Sequence, residues 1–182
     1  MGREKALLEI NGTPLLVRAA RLLAPLCSRV TIVGSPERYQ HLGFPAIADE
    51  QPDIGPLGGI LTALGHTDAP WNLITACDLP YLTSDWLRYL IGRAASSPAR
   101  VVLPESDSGP EPLCAVYHRE AAAAIRAEVA QGQFKVTRAL QSLPVERVLP
   151  ADIRPFDPRG VLFQNLNTPE DFERARADLE RR

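Results

Sequence analysis

The feature that most constrains this chain is its alternation of short β-rich runs with longer helical patterns. Apolar, β-branched runs occur at residues 29–33, 45–48, 72–76, 100–103, 113–117, 145–148 and 161–163, several of them bounded by Gly, Ser or Pro. Between them lie amphipathic stretches with recognisable starts. Thr13-Pro14 reads as an N-cap followed by a first-turn proline, and Leu15, Leu16, Ala19, Leu22, Leu23 and Leu26 follow it as one apolar stripe. Thr83 or Ser84 can cap a segment carrying Trp86, Leu87, Leu90 and Ile91, residues 118–130 are rich in helix formers, and Thr168-Pro169-Glu170-Asp171 opens a last helix. Strands alternating with helices of this length imply crossover connections, so the expected fold is a three-layer α/β/α domain with a mostly parallel mixed sheet. Residues 105–111 read as a polar surface loop before a strand. With 182 residues, no internal repeat and no low-complexity linker, a single domain over 1–182 is expected.

Composition narrows the function classes. The net charge of −2 offers no basic field for a nucleic-acid backbone. No apolar run approaches the ~18–20 residues that cross a bilayer. Cys27, Cys77 and Cys114 are odd in number, widely spaced and without a CxxC pair, and they read as reduced thiols of a cytoplasmic protein, not as a zinc site. Only Lys5 and Lys135 among the 20 basic residues are lysine; coding bias alone can produce such a ratio, and a site can instead want a compact, flexible charge in place of a planar fork, which marks both lysines for inspection.

Ligands of open α/β sheets bind beyond the carboxyl ends of the strands. Three such ends carry acids or small residues, at 48–50, 76–78 and 163–165. Asp78, after the run 72–76, is costly to bury without a cation or hydrogen bonds, so it reads either as a ligand of Mg²⁺ shared with substrate phosphates or as a turn or capping aspartate. Gly55-Pro56-Leu57-Gly58-Gly59-Ile60 is a glycine-rich turn entering a helix, open to a phosphate or base contact or to a purely structural role. Lys5 can reach a phosphate as a point charge, or stand as a surface lysine. Asn165 and Asn167 alternate, so in an extended segment they point the same way and can bind ribose or phosphate, or cap the last helix. His41, His66 and His118 are isolated, and no Ser, His and Asp stand in a nucleophile-elbow context.

Taken together and in order, five segments carry a resemblance. The residues from Met1-Gly2-Arg3-Glu4-Lys5 to Leu16, then Gly55 to Ile60, Cys77-Asp78-Leu79-Pro80, residues 111–117 and residues 165–171 resemble the motifs of molybdenum cofactor guanylyltransferases and related nucleotidyltransferases. The resemblance spans essentially the whole chain, and the form of the glycine turn looks more like the guanylyl than the cytidylyl branch. It implies a Rossmann-like, GT-A-like nucleotidyltransferase fold. It also implies that Lys5 contacts nucleotide phosphates, that Asp49 helps hold GTP, and that Gly55, Pro56, Leu57, Gly58 and Gly59 line the guanine side. By the same resemblance Asp78 is the Mg²⁺ ligand, with Asn165 and Asn167 on the pterin-phosphate side. The implied reaction is attack by the terminal phosphate of molybdopterin cofactor on the α-phosphorus of GTP, with loss of pyrophosphate; transient contact with molybdenum-cofactor delivery proteins goes with it. Neither nucleic acid nor membrane is an implied partner. A cytidylyl- or phosphosugar nucleotidyltransferase, or a non-catalytic nucleotide-binding remnant, are the rival readings. Three departures stand out. Family members carry an apolar strand and a Leu-Ala-Gly-Gly loop before the Met-Gly with which this chain begins, so its start is expected to be internal to a longer protein. Glu4 stands where an aspartate usually precedes the lysine, and Val33-Gly34-Ser35 replaces an asparagine-bearing strand end.

Overall fold

The computed structural model describes residues 4–181, so Met1, Gly2 and Arg3 of the first motif lie outside the described residues. A single 3₁₀ turn (Lys5–Leu7) leads into β1 (Glu9–Ile10) and β2 (Thr13–Pro14). Asn11 and Gly12 join these strands with φ of 52° and 64°, the two positive values that a tight hairpin turn demands. Helix α1 (Leu15–Leu23) follows directly. Thr13 is not its N-cap as the sequence suggests: it pairs with Ile10 in the hairpin, Pro14 takes the cap position in an extended conformation, and the helix begins at Leu15.

The chain continues through β3 (Ile32–Val33), α2 (Pro36–Tyr39), β4 (Ala46–Ile47), α3 (Pro56–Gly65), β5 (Trp71–Thr75) and α4 (Ser84–Ser96). Then come β6 (Val101–Ser106), β7 (Gly109–Pro110), β8 (Cys114–His118), α5 (Ala121–Ala130), α6 (Val136–Ala139), β9 (Val145–Val148), α7 (Pro150–Ile153) and α8 (Pro169–Glu180). Strand β8 lies between β5 and β6 and is antiparallel to both, while β9 is parallel to β6. Strands β5, β6 and β9 therefore share one direction, with β8 and the short β7 opposing them, so the mixed sheet has one parallel ladder (β6–β9) and three antiparallel ones. The polar stretch expected as a loop folds back as a hairpin, β7 pairing with the end of β6.

Alternation of side chains makes three layers. Val101, Leu103, Ala115 and Tyr117 face α3, α5 and α6, packing on Leu57, Ile60, Leu61 and Ile125. Val102, Cys114 and Val116 face the other way onto Trp86, Leu87 and Leu90 of α4. A smaller cluster of Ile10, Leu15, Tyr81, Leu166, Phe172 and Ala175 ties the first hairpin to α8.

Residues 161–163 form a turn, not the strand their composition suggests. The Val161 and Leu162 amides donate to the Asp157 carboxylate at 2.9 and 3.0 Å, and the Gln164 amide donates to the Val161 carbonyl at 2.9 Å. With these three amides bonded locally, they are not available to a ladder.

Strands β3 and β4 form their own parallel pair. The bonds Ala76 N–H to Leu113 O and Arg119 N–H to Pro70 O, both 2.8 Å, fix the phase of the β5–β8 ladder, so Trp71, Leu73 and Thr75 turn their peptide groups to the opposite edge. Likewise Ile32 and Gly34 donate to β4, which turns Thr31 and Val33 away from it. Between these two edges lies an apolar cavity of about 450 Å³, lined by Leu16, Ala19 and Leu23 of α1 as well as Val33, Ile60 and Ile74. Half of the expected α1 stripe thus faces this cavity, and the buried residues of the helix are Leu15, Val17 and Ala20.

Candidate active site

Strand β5 delivers Asp78 to the rim of the sheet, three residues past Thr75. The Asp78 carbonyl accepts the Leu166 amide at 3.1 Å, which fastens the segment between residue 163 and α8 against the strand end. Leu166 is fully buried there, while Asn165 and Asn167 on either side of it are exposed, as alternation in an extended segment requires. α8 anchors the far end of that segment through a reciprocal cap: the Asp171 amide donates to Thr168 Oγ1 at 3.1 Å and the Thr168 amide donates to Asp171 Oδ2 at 3.0 Å.

Lys5 reaches this point from the other end of the chain. Its Nζ donates to Asn167 Oδ1 at 3.2 Å and lies 3.9 Å from Asp78 Oδ2. The lysine and aspartate side chains are 36% and 23% exposed, so the ion pair is open enough for an incoming anion to exchange for one partner. Three expected site residues, Lys5, Asp78 and Asn167, meet here. Cys77 beside them has its thiol pushed up to about 11 by burial and by the Asp78 charge, and it remains a neutral thiol.

The glycine turn sits across the same cavity, to which Lys5, Asp78, Pro56 and Gly59 all contribute. Gly55 has φ of 63° and ψ of −146°, a conformation that favours glycine, and it sets up α3 to start at Pro56. Gly58 is required by contact: a Cβ there would lie 2.0 Å from the Gln51 carbonyl oxygen. Gly59 has nothing within 4 Å of such a Cβ and faces open space. The Leu57 side chain is completely buried in the core between α3 and the sheet, so what this residue can offer a ligand is its backbone.

Asp49 occupies a supporting position. Its Oδ1 accepts the Gln51 amide at 2.9 Å and the Thr62 hydroxyl at 3.1 Å, and Thr62 Oγ1 in turn accepts the Glu50 amide at 3.0 Å. Thr62 is 1% exposed. This buried network holds the backbone on which Gly58 rests, and Asp49 does not line the cavity beside Lys5. Asn165 makes no hydrogen bond to the other site residues.

Residues that motif spacing does not reveal also build the site. Glu4 accepts the Tyr39 hydroxyl and Arg38 Nη1, the latter at 3.3 Å, bringing α2 beside Lys5. Gln51 and Thr62 support the glycine turn. Nothing in the spacing of Tyr39 or Arg38 marks them; only the strand end Val33-Gly34-Ser35 lies near. Among the described residues no three His, Cys, Asp or Glu side chains cluster as a metal-binding group, and the Asp78 carboxylate faces the Lys5 ammonium.

Residues 1–147 match the MobA-like NTP transferase domain family. The chain belongs to that family. It is 36% identical over 177 residues to the molybdenum cofactor guanylyltransferase of Syntrophotalea carbinolica, covering 97% of this chain and 84% of that relative. The crystal structure of molybdopterin-guanine dinucleotide biosynthesis protein A from Archaeoglobus fulgidus superposes with a TM-score of 0.85 at 26% identity, over 100% of this chain and 93% of that one. A CMP:2-keto-3-deoxy-manno-octonic acid synthetase complexed with CTP shares the fold alone, at 12% identity and a TM-score of 0.74, over 97% and 92% of the two chains. This MobA-like NTP transferase is a nucleotidyltransferase in both sequence and architecture. Among the described residues of its chain no helix is long and apolar enough to cross a membrane.

Proposed function

We propose that this MobA-like protein transfers GMP from GTP to molybdopterin cofactor in the cytoplasm, forming the guanine dinucleotide and releasing pyrophosphate. The carrying observation is the meeting of Lys5, Asp78 and Asn167 on the cavity that Pro56 and Gly59 also line. Relatives bearing the guanylyltransferase name, one at 36% identity, support the choice of donor and acceptor. In the reaction an oxygen of the acceptor's terminal phosphate forms a bond to the α-phosphorus of GTP, and the bond from that phosphorus to the bridging oxygen of the β-phosphate breaks.

No protein nucleophile is needed; positioning and charge neutralisation supply the rate. Lys5 places an ammonium against the phosphates, and Asn167 orients that ammonium through its side-chain oxygen. Asp78, one carboxylate beside open space, suits Mg²⁺ in the arrangement in which substrate phosphates supply most of the remaining ligands. When bound, Mg²⁺ would offset the charge developing on the phosphates. Asn165, exposed on the same side of its segment, is available to the acceptor phosphate. Contacts with delivery proteins that hand over the pterin belong to the same reading.

The test is pyrophosphate release from purified protein given GTP, molybdopterin and Mg²⁺, with Asp78→Asn beside it. Mg²⁺-dependent release that prefers GTP over CTP and disappears in Asp78→Asn, with the melting temperature retained, is the expected result. Full activity of the variant removes the metal assignment. Preference for CTP favours the cytidylyl reading, and nucleotide binding without release favours a non-catalytic role.

A further inference from the structure

The Lys5–Asp78 pair is carried by two segments with no ladder between them: the 3₁₀ turn that starts after Glu4, and the segment after β5. A lysine on so short a turn needs an outside constraint to hold its direction, because one turn of backbone bonds leaves its base free to swing. Tyr39 supplies such a constraint. Its hydroxyl donates to one oxygen of the Glu4 carboxylate, while Arg38 Nη1 donates to the other at 3.3 Å. Its ring rests against the end of β3, where a Cβ on Gly34 would lie 2.6 Å from ring Cε2. Burial, with the Glu4 interaction next, pushes the phenol up to about 12, and the Cys77 sulfur lies near enough to add to the effect. The hydroxyl is therefore a proton donor across the whole working pH range. Tyr39 touches the neighbour of Lys5 and lies close to the neighbour of Asp78.

We propose that Tyr39 is a positioning residue for the reaction: bonded to Glu4 and seated on Gly34, it holds the Lys5 ammonium opposite Asp78. This inference rests on the reading of Lys5 as the phosphate contact. Tyr39 itself need not touch substrate, and the glycine at 34 is explained as the platform that admits its ring.

Tyr39→Phe keeps the ring and deletes only the hydrogen bond, and Gly34→Ala keeps the hydroxyl but pushes on the ring. GTP affinity and steady-state turnover are measured for Tyr39→Phe, Gly34→Ala, Lys5→Met and the double variant Tyr39→Phe/Lys5→Met, with thermal melting alongside. Tyr39→Phe is expected to weaken GTP binding or kcat/KM roughly tenfold, the worth of one hydrogen bond to a charged group. Gly34→Ala should move the same parameter in the same direction. In the Lys5→Met background Tyr39→Phe should add nothing, because its effect runs through the lysine. A Tyr39→Phe loss that persists in full in that background, or no loss at all, overturns the proposal while leaving Lys5 in place. An unaffected Lys5→Met protein removes the reading of Lys5, and the proposal falls with it.

Discussion

At the scale of single residues, the site turns on which charges are spent on the fold and which stay free for ligand. Asp49 and Asp78 look alike as acids after strand ends, yet Asp49 has its Oδ1 filled by Gln51 and Thr62, whereas among the described residues the Asp78 carboxylate meets the Lys5 ammonium at 3.9 Å. The two lysines separate in the same way. Lys135 is exposed, its backbone amide donates to Gln133 Oε1, and among the described residues its ammonium makes no ion pair. Lys5→Ala is therefore expected to weaken GTP binding by about tenfold or more, the worth of a charge-assisted contact, and Lys135→Ala by much less. Equal effects in a calorimetric titration would remove the case for Lys5. Cys77 makes a pH statement. Its thiol is raised from 9.0 to about 11, so the folded state favours the protonated form, and its contribution to stability is whole below pH 9. That contribution is lost as the pH climbs from 9 towards 11, where an unfolded chain would ionise first. At pH 8 alkylation of Cys77 in the native protein should run roughly 100-fold slower than in denatured protein, from the smaller thiolate fraction. Peptide mapping that finds equal rates would show the thiol to be open and unperturbed.

At the scale of elements, α3 and its glycine turn divide into a structural half and an open half. Gly58→Ala drives a methyl into the Gln51 carbonyl, and backbone cannot yield as a flexible side chain does. A loss of about 1–3 kcal/mol is expected, read as a lower melting temperature with weakened nucleotide binding following from it. Gly59→Ala meets nothing within 4 Å and replaces a helical glycine, so stability should hold or rise by up to ~1 kcal/mol. A close approach of nucleotide to that backbone would still weaken GTP binding in this variant. Unchanged binding in Gly59→Ala would show that Gly59 lies off the ligand path. The helices and the long strands are legible in the sequence because period and caps are local signals: the β-rich run 145–148 forms β9, and Thr168 caps α8 as its motif implies. The failures were also local in cause. Thr13 was taken by a hairpin partner and residues 161–163 by the Asp157 carboxylate, and neither competitor is visible in hydrophobic pattern alone.

At the scale of the whole molecule, the two ends of the chain share one site. Lys5 bonds Asn167 across 162 residues of sequence, and the segment bearing Asn167 hangs between the Asp78 carbonyl and the cap of α8. Thr168→Ala is expected to cost about 1 kcal/mol through the lost cap. That corresponds to a melting temperature lower by about 2–4 °C for a domain of this size. By loosening Asn167 it should also weaken nucleotide binding, although Thr168 does not line the cavity. A lowered melting temperature with unaltered GTP affinity would show that α8 is a scaffold independent of the site. The sequence by itself determined the layered α/β plan, the glycine turn and the identity of Lys5, Asp78 and the paired asparagines as candidates, because periodicity, turn chemistry and motif order are written in neighbouring residues. Only the tertiary structure decided that Lys5, Asp78 and Asn167 converge, that Asp49 bonds Gln51 and Thr62 while the Leu57 side chain is buried, and that Tyr39 reaches Glu4. Those outcomes depend on which distant groups satisfy one another's hydrogen bonds and burial, and residue spacing along the chain does not carry that information.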